Sequence, residues 1–132
     1  MARIGMVAHD DRKDEMCQWA LQHKAQLGDH ELWGTGTTGG RVMAATGLPV
    51  TLLKSGPLGG DQQLGAMIAE GRLDVLIFFI DPLSAQPHDV DVKALTRLAT
   101  LYDALYACNK STADAVLAWV PAVPAVDPVP AL

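Results

Sequence analysis

Glutamate is scarce in this chain: 3 residues against 12 aspartates in 132. Glutamate is the better helix former, whereas aspartate favours caps, turns and short-armed sites. The skew predicts carboxylates at element ends rather than along solvated helix faces. Basic residues are also short, 10 Lys+Arg against 15 Asp+Glu, for a net charge of −5. That balance excludes the basic footprint a nucleic-acid binder needs, but not one small anion held by local geometry. The only two cysteines, Cys17 and Cys108, form neither a disulfide framework nor a zinc knuckle, and both read as buried reduced thiols. No apolar run approaches the ~18 residues of a membrane span. At the N-terminus, Arg3 and a short apolar run meet His9, Asp10 and Asp11, which is not a signal peptide. A cytoplasmic protein with no nucleic-acid and no membrane partner is expected.

Hydrophobic residues make up 49% of the chain, enough for one domain with its own core. Short apolar runs at 4–8, 31–34, 50–53, 74–80 and 105–108 read as strands. Helical periodicity follows each, over 11–27, from Thr37-Thr38 to Gly47, from Asp61 to Gly71, from Asp91 through Tyr102, and from Asn109 through Trp119. The 74–80 run is apolar on both faces, the mark of a central parallel strand covered on both sides. Strand then helix, five times over, predicts an α/β fold: a single doubly wound five-stranded parallel sheet with helices on both faces and flavodoxin-like layering. Residues 1–120 form this domain. Residues 121–132, with Pro121, Pro124, Pro128 and Pro130, read as an extended proline-rich tail. Trp19, Trp33 and Trp119 are expected in the core, with an interface role open for Trp119.

Right-handed crossovers put every strand-to-helix loop on the carboxyl edge, where such sheets bind ligands. The unusual chemistry collects there. Thr35-Gly36-Thr37-Thr38-Gly39-Gly40 combines glycines that admit close approach with hydroxyls and a helix start, a place for an anion or an ordinary cap. No lysine follows the glycines, so it is not a Walker loop, and residues 35–40 do not read as a dinucleotide fingerprint. Ser55 and Gly56 add a hydroxyl and an open amide from the next loop, and Lys13 a cation from another. One phosphate cradle explains the three donors better than three separate caps. Asp61 is an N-cap carboxylate or a general base facing the ligand; with an ordinary pKa of ~3.9 a base there needs desolvation. His88, between Pro87 and Asp89, is a loop histidine or an acid at a substrate oxygen, and His9 beside Asp10 is weighed alike. His23 and His30 read as surface residues. No metal-binding spacing such as HExxH or CxxC occurs, so no metal is expected.

Together these segments resemble the methylglyoxal synthase family. The resemblance rests on Val7-Ala8-His9-Asp10 with Lys13, on Gly34 through Gly39, and on Ser55-Gly56-Pro57-Leu58-Gly59-Gly60-Asp61-Gln62-Gln63. It continues through Asp81-Pro82-Leu83, Pro87-His88-Asp89, Asp91-Val92-Lys93 and the Asn109 helix start, in order over about residues 4–118. It implies conversion of dihydroxyacetone phosphate to methylglyoxal and inorganic phosphate without cofactor, in a homohexamer inhibited by phosphate. It implies Asp61 as catalytic base, His88 handling protons at the substrate oxygens and His9 contacting that end. Asp91 joins the catalytic set, with Asp10 and Asp81 as supporting acids. Lys13, Thr35, Thr37, Thr38, Ser55 and Gly56 would hold the phosphate. Two departures stand out: residues after Trp119 contain no Lys or Arg where the family often carries a terminal arginine, and Lys110 stands where arginine is frequent. A regulatory binding domain of the same fold and a flavin module are the rivals. The joint presence of Asp61, His88 and His9 favours the enzyme.

Overall fold

The computed structural model describes residues 1–85 and 89–120. His88 and the proline-rich stretch 121–132 lie outside the described residues. Five strands form one all-parallel sheet: β1 (Arg3–Ala8), β2 (Glu31–Thr35), β3 (Thr51–Leu53), β4 (Val75–Phe79) and β5 (Leu105–Ala107). The spatial order is β3-β2-β1-β4-β5. The chain builds outward from β1 to β3, then returns past β1 to lay down β4 and β5. A constant crossover hand requires the helices to change face at that reversal. They do. Helices α1 (Lys13–Gln22), α2 (Lys24–Leu27), α3 (Gly36–Thr46) and α6 (Lys110–Trp119) share one core, and α4 (Gly60–Ala69) and α5 (Asp89–Leu101) the other.

β4 shows why the 74–80 run is apolar throughout. Val75, Ile77 and Phe79 point into the first core, Leu76 and Phe78 into the second, and all five are buried. At the opposite edge the Arg3 guanidinium grips Asp74 through two oxygens, at 3.0 and 2.9 Å. The pair ties the starts of β1 and β4 together.

Five details depart from the sequence reading. The helix expected over 11–27 is broken at His23, which leaves helical geometry at φ −107°, ψ 20°. Its ring meets Asp114 of α6 at 2.9 Å on Nε2 and Gln26 at 2.9 Å on Nδ1; it is half-buried rather than a plain surface residue, as is His30, whose Nδ1 accepts the Ala2 amide. The cysteines are not buried thiols: Cys17 is half-buried and Cys108 exposed, because the strand stops at Ala107. Trp19 is in the core, its indole N–H bonded to Asp114, but Trp33 is half-buried and Trp119 is 54% exposed at the end of α6. Asp61 does not stand at a cap: Gly59, at φ +111°, holds that position and Asp61 lies in the first turn of α4.

Candidate active site

A cavity of about 320 Å³ opens above the carboxyl ends of β1, β2 and β3. It is lined from β1 by His9, Asp10 and Lys13, from β2 by Thr35, Thr37 and Thr38, from β3 by Ser55 and Gly56, and by Asp61 of α4. Nine of the residues singled out in the sequence thus share one space. Asp81 and Asp91 are not among the lining residues. Asp91 sits half-buried in the first turn of α5, and Asp81 follows β4 just behind His9. Val7, Ala8 and Pro57 also line the cavity; they belong to the segments that carry the family resemblance, but no polar side chain marks them as site residues.

Main-chain packing builds this space. Gly60 lies against the Lys54 carbonyl, where an added Cβ would come within 1.9 Å of the oxygen. No larger residue fits, so α4 begins against the end of β3 and carries Asp61 to the cavity wall. The Ser55 carbonyl takes the amides of Leu58 and Gly60, both at 3.0 Å, which folds the loop into a 3-10 turn over Gly56–Leu58. Gly34 and Gly39 make a second close approach: a Cβ on Gly34 would lie 2.6 Å from the Cα of Gly39. Counted from Gly34, the segment does read G-x-G-x-x-G, with strand before and helix after, contrary to the reading that began at Thr35. Its outer glycines serve close strand–helix packing, as in the dinucleotide fingerprint. At the end of β3, where that fingerprint places a ribose-binding acid, this chain has Lys54-Ser55, so the loop suits a phosphate without a nucleoside.

Polarity is divided within the site. Asp61 is 2% exposed and His9 6%, so both lie away from bulk water. The Lys13 side chain is 12% exposed and paired with the outward-facing Asp10. Neither α3 nor α4 has a side-chain cap, although Thr35 stands at the cap position of α3. The Thr38 hydroxyl is already engaged: it accepts the Ala8 amide at 3.2 Å and donates to the Ala8 carbonyl at 3.4 Å. The Thr38 side chain thus ties α3 to β1. The Leu83 amide, donating at 3.0 Å, holds the Asp81 carboxyl below the usual carboxylate range; Ser84, Asp11 and Arg12 act in the same direction. Among the described residues no group of three or more His, Cys, Asp or Glu is placed to hold a metal ion, and no helix is long and apolar enough to cross a membrane.

The family model for the MGS-like domain matches residues 15–108. A methylglyoxal synthase of Pseudoalteromonas atlantica is 59% identical over 114 residues, covering 86% of this chain and 84% of the relative. Another, of Agrobacterium fabrum, is 61% identical over 112 residues, covering 84% and 88%. This chain belongs to the methylglyoxal synthase family. The crystal structure of methylglyoxal synthase from Elizabethkingia anophelis superposes with a TM-score of 0.84 at 48% identity, over 88% of this chain and 76% of that one. The methylglyoxal synthase fold is thus the one described above, and the carboxyl-edge cavity is its candidate active site.

Proposed function

We propose that the protein converts dihydroxyacetone phosphate to methylglyoxal and inorganic phosphate, acting as a carbon–oxygen lyase. The observation that carries this reading is the meeting, in one cavity, of a buried carboxylate at Asp61 with a phosphate-sized cradle from three other loops. Asp61 removes the C3 proton of the bound substrate. The oxygen of the resulting enediolate is met by hydrogen-bond donors, His9 in the cavity wall and His88 as the family resemblance implies. The phosphate then leaves with the electron pair of its C–O bond. Departure is easiest when that bond stands out of the enediolate plane, so rigid holding of the phosphate across the plane selects elimination over isomerisation. Lys13, Ser55, the main chain at Gly56, and Thr35, Thr37 and Thr38 at the start of α3 bear the charge of the departing group. Asp10 balances Lys13, Asp81 supports His9, and Asp91 acts from the start of α5.

The same reading makes the protein a cytoplasmic homohexamer, inhibited by its product phosphate and working without a cofactor. Leu58, Leu83 and, in the first turn of α5, Val90 are 74%, 92% and 79% exposed and give the carboxyl edge apolar surface for subunit contact. Residues 1–120 are the enzyme domain and 121–132 an appendage to it.

The test is a colorimetric assay of methylglyoxal from dihydroxyacetone phosphate, with and without chelator, on the wild type and Asp61→Asn. The variant should lose roughly 10²–10⁴-fold in kcat, with affinity for inorganic phosphate retained. Near-normal phosphate release by the variant sinks the base assignment. No product from the wild type sinks the activity, and chelator-sensitive product overturns the cofactor-free reading.

A further inference from the structure

We propose that His9 works as a neutral hydrogen-bond donor, locked by the main-chain amide of Asp81 with its proton on Nε2, and that Asp81 is the positioning residue of this lock. The starting point is the way the β1–β4 ladder ends. Paired residues run to Ala8 and Phe79, and the His9 amide makes one more ladder bond, to the Phe79 carbonyl at 3.1 Å. The next bond in a parallel ladder would run from the Asp81 amide to the His9 carbonyl. That carbonyl is instead taken by the Arg12 amide at 2.8 Å, in the tight turn after β1. The Asp81 amide, buried, turns to the His9 ring and donates to Nδ1 at 2.9 Å. The imidazole replaces the missing ladder acceptor.

A main-chain amide can only donate, so Nδ1 must keep its lone pair. A neutral imidazole then has its one proton on Nε2. Turning the ring over would set a carbon against the amide, and protonating Nδ1 would set two N–H groups face to face with His9 only 6% exposed. The ring is also held edge-on against Phe78, centroids 5.1 Å apart at 75°. Charges around it act in both directions. Asp10 and Asp61, which share its cavity, and Asp81 behind it favour a charged ring; Lys13 and Arg12 oppose one. Asp10 is engaged by Lys13, and Asp81 by the Leu83 amide. The direct amide contact therefore decides the state.

Asp81 acts through its own peptide. Its Oδ1 accepts the amide two residues ahead at 3.0 Å, an Asx turn that fixes the exit of β4. The peptide that presents its N–H to His9 is fixed with it. In the reaction proposed above, on which the role though not the tautomer rests, a neutral Nε2–H suits a developing enolate oxygen. It stabilises the charge without giving its proton away. His9 therefore carries no proton between substrate atoms; that task stays with Asp61 and His88.

The experiment is a long-range ¹H–¹⁵N spectrum of ¹⁵N-histidine-labelled wild type, without substrate, with His9 assigned by its loss in His9→Gln. The expected result is a pyridine-type Nδ1 and a pyrrole-type Nε2, unchanged from about pH 8 to about pH 5, across the ordinary histidine pKa of ~6.5. The opposite tautomer, or titration near the ordinary value, overturns the proposal. Asp81→Asn, which keeps an oxygen for the Leu83 amide, should preserve the signature, and Asp81→Ala should turn it into a titrating mixture. A pure Nε2–H spectrum in Asp81→Ala, with only a lower melting temperature, overturns the positioning role. His9→Gln, a neutral donor, should keep at least about tenfold more kcat than His9→Ala, out of the 10²–10³ that one such donor supplies. Equal rates for the two overturn the donor role. Because the spectrum is read without substrate, its outcome is independent of whether the protein turns over dihydroxyacetone phosphate.

Discussion

Helices α3 and α6 both begin at the carboxyl edge of the same sheet, one after β2 and the other after β5, and they begin in different ways. At α6, Asn109 is extended and its side chain accepts the Thr112 amide at 2.9 Å. This helix satisfies one amide of its own first turn. At α3, Thr35 occupies the same position without a side-chain cap, and the hydroxyl of Thr38 turns down to Ala8 instead. α4, whose cap position is the glycine Gly59, matches α3. Of these three helix starts, the two without a side-chain cap border the cavity and the capped one does not. A helix start leaves several amide donors unused within the helix. At α6 a side chain covers one of them, whereas in the reaction proposed above phosphate oxygens meet the start of α3.

The strongest way to break the contrast is at the main chain that sets it up. Gly60→Ala would drive a methyl into the Lys54 carbonyl, and no rotamer change relieves a backbone clash. A loss of about 3 kcal/mol or more is expected in chemical denaturation. Gly40→Ala, in α3 with nothing within 4 Å of the added Cβ, should gain about 0.4–1 kcal/mol. Equal behaviour of the two variants would show that close packing does not define the site.

The next largest effect comes from supplying the missing cap. Inorganic phosphate at about a hundred times its Kd should stabilise the protein by about 2.7 kcal/mol, read as a rise in melting temperature. The same increment should appear in Asn109→Ala, since α6 lies away from the cavity. A shift lost in that variant would place the anion at α6 instead. Asn109→Ala itself should cost about 1 kcal/mol, the typical worth of a cap, and leave turnover unchanged. A fall in kcat would make α6 part of the reaction.

The smallest effect concerns acid. The folded-state pKa of Asp81 is held below its unfolded value, chiefly by the Leu83 amide. Stability from this source is present above the unfolded value of ~3.9 and is lost as pH falls through the lower folded value. Asp81→Ala should flatten that part of the acid denaturation curve. An unchanged acid limb would mean that the Asx turn contributes no stability there.

Much of the architecture was legible in the residues. Five apolar runs followed by helical periodicity specify a parallel sheet, and the continuous 74–80 run marks its centre, because burial on both faces leaves no room for alternation. The scarcity of glutamate also carried meaning: Asp10, Asp61, Asp81 and Asp91 stand at strand exits and helix starts. Other points were not legible. Asp61 looks like a cap because a sequence count cannot see that the 3-10 turn before it hands the cap position to Gly59 at positive φ. Cys108 looks buried because its neighbours are strand-like, but β5 ends one residue earlier. The first glycine of the fingerprint, Gly34, lies inside β2, so the pattern is hidden when the loop alone, from Thr35, is read.

The sequence by itself determined the fold class, the edge that carries the chemistry and most of the residues along it, because periodicity and loop composition are local properties of the chain. Only the tertiary structure decided which residues share a cavity, and what state they are in there. Asp81 lies 72 positions from His9, and nothing between them predicts that the amide of one meets the ring of the other. That contact exists because β1 and β4 lie side by side and their ladder gives way at the same level. Hydrogen bonds across strands depend on register, and register is set by the packing of the whole sheet.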